Sequence, residues 1–258
     1  MEHYRTLLIL ATLAYLGGLF HAVMALTKRT WHDSRWHVFP MVIGLALSTT
    51  FLYLRGQAVG QCPMKSLSDI LVFISWSIVL LYFLVGGANR VSLLGLFTAP
   101  LVAALQILAL ALPNAFPDYP AKGKIIPLVE LHVAVALIAY AAFAMACITG
   151  VMYLLQERLL KRHRIGGLFY QLPPIQDLAK SIKRLLLLGL ILLSAALAMS
   201  FALKQPVSSP KIIVAWAVWL LYAIISFVMW RHVLSPRQTA WMAVVGFVVP
   251  FVSLWLVT

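Results

Sequence analysis

Eight stretches of roughly twenty residues in this chain carry charge only at their ends: 4–26, 38–55, 67–86, 91–113, 128–156, 184–204, 211–231 and 237–257. About 20 consecutive apolar residues are what an α-helix needs to cross the ~30 Å hydrocarbon core of a bilayer. The backbone inside hydrocarbon must satisfy its own polar groups, and a helix does so within one segment. The expected fold is therefore all-α: a polytopic membrane protein of about eight transmembrane helices, forming one transmembrane domain over residues 1–258. Only 10% of the residues are charged, against about 25% in a soluble domain, so no sizeable soluble domain is expected. The first stretch is too long for a signal-peptide core and has no small-residue cleavage site, and is read as a retained span. Pro40, Pro63, Pro113, Pro127, Pro206, Pro210 and Pro236 lie near span ends. Pro100 and Pro250 fall inside spans four and eight and are expected to kink them.

The cations orient the spans. Loops after spans 1, 3, 5 and 7 carry 13 Lys and Arg, and loops after spans 2, 4 and 6 carry 6. Cytoplasmic loops hold the excess, which puts both termini outside. The net charge of +13 is thereby read as topology and attraction to anionic lipid, with the bilayer as partner and no nucleic acid. The longest basic loop, a connector over about 157–183, reads KRHRIGGLFYQLPPIQDLAKSIKR in its core. After Pro174 it is expected to form a short amphipathic helix lying on the membrane surface.

The chain has two cysteines, Cys62 and Cys147, and neither a C-x-x-C nor a C-x-x-C-H. That argues against a thiol oxidoreductase and against covalently attached haem in this chain. No Ser-His-Asp set, phosphate loop or paired-carboxylate site is visible, so the chain is not read as an enzyme. At the start of span three, Ser66 and Asp69 have the spacing of a helix cap.

Histidine carries the chemistry that remains. His132 lies a little over one turn into the fifth apolar stretch. At 1.5 Å per residue that is roughly 6 Å below the outer end of its helix. An imidazole there must find a partner, either a neighbouring helix or, since neutral imidazole ligates metals and haem iron, a metal centre. His21 lies late in span one, and its depth differs from that of His132 by roughly 15 Å or more, so the two are not expected to share one iron. His21 could instead pair with His232, near the inner end of span seven, in a second site; its other reading, a packing or interfacial residue, is favoured. His32, His37 and His163 fall in basic segments and are read as solvated. Trp76, Trp216, Trp219, Trp230, Trp241 and Trp255 would either wall a porphyrin or anchor span ends at the interface, and the anchor reading is favoured.

Four segments carry a resemblance to a known family. GQCPMKSLSD with the following ILVFISW, LHVAVALIAYAAFAMACITGVMYLLQERLLK, LPPIQDLAKSIKR, and PKIIVAWAVWLLYA followed by WMAVVGF resemble, in order and spacing, segments of the cytochrome c assembly family of membrane proteins, the CcsA/HemX/YpjD type. The match runs over roughly residues 40–250. The full haem-exporting members of that family carry a tryptophan-rich WWD loop; here the corresponding loop is the short QPVSSPK. Two family histidines fall near Phe227 and near Ser48 or Thr49, leaving His132 as the residue that aligns with a family haem ligand.

The resemblance implies a haem-handling protein of the bacterial inner membrane, of the short branch without the WWD segment. It would bind or pass haem, non-covalently and as haem b, with His132 as axial iron ligand. Outer cations such as Arg55, Lys65, Lys122 or Lys124 would meet the propionates, and cytochrome c maturation or haem-synthesis proteins would be its partners. The rival implied by HemX-like relatives is a haem-free membrane regulator of haem synthesis working through the basic connector.

Overall fold

A computed structural model of the chain describes residues 2–27, 38–86, 91–113, 115–117, 127–162, 173–203, 210–231 and 233–257. These residues are overwhelmingly helical: α1 (Glu2–Thr27), α2 (Phe39–Val59), α3 (Leu67–Gly86), α4 (Val91–Ala111), α5 (Pro127–Lys161), α6 (Ile175–Ala202), α7 (Pro210–Trp230), α8 (Pro236–Gly246) and α9 (Val248–Val257). Seven helical spans among the described residues are long and apolar enough to cross a membrane, with α8 and α9 together counting as one, and Gly95–Ala111 within α4 is a shorter apolar helix. Helical structure is therefore present at each of the eight expected positions, seven of them long and apolar enough to cross.

Contacts divide the chain into two compact units, Met1–Ile125 and Ile126–Thr258. In the first, each of α1 to α4 packs on the next and α4 packs back on α1. α2 ends at Gly60, whose φ of 66° is the left-handed cap that glycine adopts without steric cost. Gly44 sits against the ring of Tyr15 so closely that a Cβ there would collide with it.

In the second unit α5 is central and contacts α6 and α8. Its middle is apolar on every side, and Ala139, Ala141, Ala142, Phe143, Ala144, Met145 and Ala146 are fully buried. A helix apolar all round is a core helix, and small residues let neighbouring backbones approach. α6 answers with Gly189, which receives the Phe143 ring with no room for a Cβ. That ring also stacks on Tyr222 of α7 at 3.6 Å between centroids. α5 also runs antiparallel to α8 and α9. Tyr140 meets Ser253 at 3.1 Å, Gly150 lies against the Ala240 carbonyl, and Glu157 meets Arg237.

Two expectations change. The helix after Pro174 is not a separate surface helix: it runs unbroken for 28 residues from Ile175 through span six, with Leu178 and Ile182 buried. The connector between helices is accordingly shorter than 157–183, since α5 also continues to Lys161. Pro250 acts as expected, but one turn earlier in the chain. Lacking an N–H, it cannot bond the carbonyl of residue 246, and the helix breaks between Gly246 and Val248. α4, by contrast, continues through Pro100.

Candidate functional site

His132 is the sixth residue of α5 and is half-buried. Its Nδ1 lies 2.7 Å from the backbone carbonyl oxygen of Ala196 on α6. The alanine-rich segment of α6 around that position, Ser194 to Ser200, allows α5 to come close enough for the contact. A carbonyl oxygen only accepts, so in the neutral ring the proton resides on Nδ1 and Nε2 keeps its lone pair. This is the orientation in which metal-bound histidines are held: the far nitrogen is anchored by a backbone carbonyl and the near one is left basic. The residue thus has the partner on a neighbouring helix that its sequence position calls for.

The remaining histidine candidates lie in the other unit or outside the described residues. His21 lies on α1, in the first unit, at an exposed position. His232 lies outside the described residues, as do His32, His37, His163, Lys122, Lys124 and residues 163–172 of the connector. Among the described residues no three His, Cys, Asp or Glu side chains group in a way that would hold a metal ion. A haem iron needs no such group, since its porphyrin supplies four ligands and the protein only the axial ones. Glu130 falls in the first turn of α5, where a carboxylate suits the helix dipole.

The tryptophans divide. Trp219 donates to Ser194 Oγ at 2.8 Å, and Ser194 in turn donates to the Leu190 carbonyl. Trp216 stands edge-on to Trp219 at 5.4 Å and tilted against Phe201. Ser194 and Ala196 are about 200° apart around α6, so this aromatic group engages a different face of α6 from the one His132 addresses. Trp76 donates to Thr49 Oγ1 at 2.8 Å. Trp230, Trp241 and Trp255 are about half exposed or more, as interface anchors are.

Arg55 departs from its expected role. It is not an open cation for a propionate but a buried one, 1% exposed and paired to Asp69 at 3.3 Å. Its Nη2 also donates to the Pro117 carbonyl at 2.5 Å. Ser66 Oγ donates to Asp69 Oδ2 at 2.6 Å and accepts from the Asp69 backbone N–H at 3.1 Å, which is the expected cap with an ion pair added. Phe116, with φ of 60°, turns its ring edge-on to Phe51 at 5.1 Å and under the Arg55 guanidinium at 6.0 Å. The available sequence signal was opposite charges at the end of one span and the start of the next, joined by a short turn.

A polytopic helical membrane protein with an anchored imidazole near one end of a central helix is the class these observations define. The chain belongs to the cytochrome c assembly protein family, which matches residues 64–258. It is 27% identical over 192 residues to Protein HemX of Brevibacillus brevis, covering 70% of this chain and 71% of that protein. It is 24% identical over 135 residues to Protein HemX of Bacillus subtilis, covering 52% of this chain and 48% of that one. Over 120 residues it is 26% identical to the cytochrome c biogenesis protein CcsA of Chlorella vulgaris, covering 44% of this chain and 37% of the relative. The chain thus spans about half of the second of these and little more than a third of the third.

Proposed function

We propose that the protein handles haem in the bacterial inner membrane, binding it or passing it toward cytochrome c maturation, with His132 as an axial ligand. The observation that carries this reading is the bond from His132 Nδ1 to the Ala196 carbonyl, which leaves Nε2 basic and the ring fixed in direction. Family membership supports the cofactor class. Haem held there would be non-covalent, as haem b, and would supply a redox-active iron whose chemistry belongs to the porphyrin. The protein's part is to hold, orient and shield it rather than to act as an enzyme. The test is the visible absorption spectrum of the purified protein. A Soret band that shifts on reduction is expected; a folded protein that takes up no haem overturns the reading.

The second reading is a haem-free regulator or scaffold, exerting HemX-like control of haem synthesis through the basic end of α5 and the connector. One observation favours it: Phe227 and Ser48 or Thr49 stand near the positions where the resemblance puts further family histidines.

Both readings share an orientation with both termini outside, taken from the cation count. Cys62 is a thiol outside any disulfide, of intermediate exposure, in the turn after α2. It should react with a membrane-impermeant thiol reagent from the periplasmic side of intact cells. Labelling that requires rupture of the inner membrane would reverse the orientation.

A further inference from the structure

The end of α5 and the start of α8 enclose a groove of about 570 Å³ that the haem reading does not use. Its lining changes along the two helices. Val151, Leu154, Leu155, Trp241 and Val244 supply an apolar part. Arg158, Lys161, Arg162 and Arg237 supply a cationic part, with Glu157 as the one carboxylate in the lining. Glu157 is already engaged by Lys161 at 2.8 Å and by Arg237 at 3.4 Å. Arg158 in the last turn of α5 and Arg162 just after it have no acidic partner among the described residues. From Val151 to Arg162 the groove runs roughly 16 Å along the helix, at 1.5 Å per residue.

This gradient selects an amphipathic anion. A bare phosphate would leave the apolar part unused, and a zwitterionic lipid would not answer the excess of cations. Val151 and Trp241 are 41% and 50% exposed, so the apolar part is open to an acyl chain lying alongside. Basic pockets between transmembrane helices bind anionic lipid headgroups in this way. We propose that the groove between α5 and α8 is a binding site for an anionic phospholipid, with the phosphodiester between Arg158 and Arg162 and an acyl chain along Trp241 and Val244. This site is distinct from a general attraction of basic loops to a charged surface, and it stands whether or not the protein binds haem.

The test measures binding of dioleoylphosphatidylglycerol to the full-length protein in mixed micelles, against dioleoylphosphatidylcholine. The double variant Arg158→Gln, Arg162→Gln should lose tenfold or more of the preference for the anionic lipid. Lys180→Gln with Arg231→Gln removes the same charge at exposed positions outside the groove and should stay within twofold of wild type. Trp241→Ala should weaken lipid binding with the charge intact, and inorganic phosphate should not displace the lipid. Equal losses in the two double variants would mean diffuse electrostatics and would overturn the site. So would full displacement by inorganic phosphate, or wild-type binding by a folded Trp241→Ala protein. All four Arg and Lys changes lie on exposed side chains, so unaltered helical circular dichroism is expected throughout.

Discussion

The two units bury different chemistry. The first is closed by polar and charged side chains. Besides the Arg55–Asp69 pair, Gln106 of α4 donates to Ser48 of α2 at 3.1 Å and to Ser75 of α3 at 3.2 Å. Its Oε1 lies 2.9 Å from the hydroxyl of Thr12 on α1, so four helices meet at one buried amide. The second unit is closed by alanines, a stacked Phe143–Tyr222 pair and single bonds between helix pairs, such as Trp219 to Ser194 and His132 to the Ala196 carbonyl. The family match covers all of the second unit but begins only at residue 64 of the first. The comparison separates two tasks. Side-chain bonding specifies how α1 to α4 meet, whereas close backbone packing around α5 sets an imidazole in a fixed direction.

The largest expected effect breaks the charged lock of the first unit. Arg55→Ala or Asp69→Ala leaves an unpaired buried charge and should cost about 3–5 kcal/mol, read by unfolding in detergent. Arg55→Met with Asp69→Leu should recover most of it, because packed apolar replacements of a buried pair are often neutral or better. If the double variant is as unstable as either single one, the pair is not what the singles lose.

Next come the glycines, which test what the two units share. Gly44→Ala pushes into Tyr15 and Gly189→Ala into Phe143; overpacking of this kind costs about 1–3 kcal/mol. Gly17 has nothing near a new Cβ, so Gly17→Ala should be neutral or gain up to about 1 kcal/mol. Equal stability of all three would refute the close approaches. The smallest effects sharpen the contrast itself. Each interhelical bond within a membrane protein averages about 0.6 kcal/mol, so Gln106→Leu, losing several bonds, should destabilise more than Ser194→Ala, which loses the Trp219 bond. The reverse order would undo the description of the first unit as the polar one.

Much of this was readable in advance. Apolar length alone located the spans, and the Ser66–Asp69 cap followed from spacing. Residues 175–183 read as a separate helix because a hydropathy window registers only the apolar part of a helix that continues past the membrane. Arg55 was misread as exposed because its partners, Asp69 and the Pro117 carbonyl, come from other parts of the chain. Likewise His132 is legible as an imidazole within a span and in need of a partner. The partner is a backbone carbonyl 64 residues away, which no side-chain pattern announces.

His132 as an iron ligand is tested most directly by comparing reduced and oxidised absorption spectra of the wild type with those of His132→Ala and His21→Ala. Losing one interhelical bond should cost the His132 variant only about 0.6–1.7 kcal/mol, so it should still fold. The account expects the Soret band to vanish or weaken in His132→Ala and to persist in His21→Ala. A folded His132→Ala protein with an unaltered haem spectrum would contradict it.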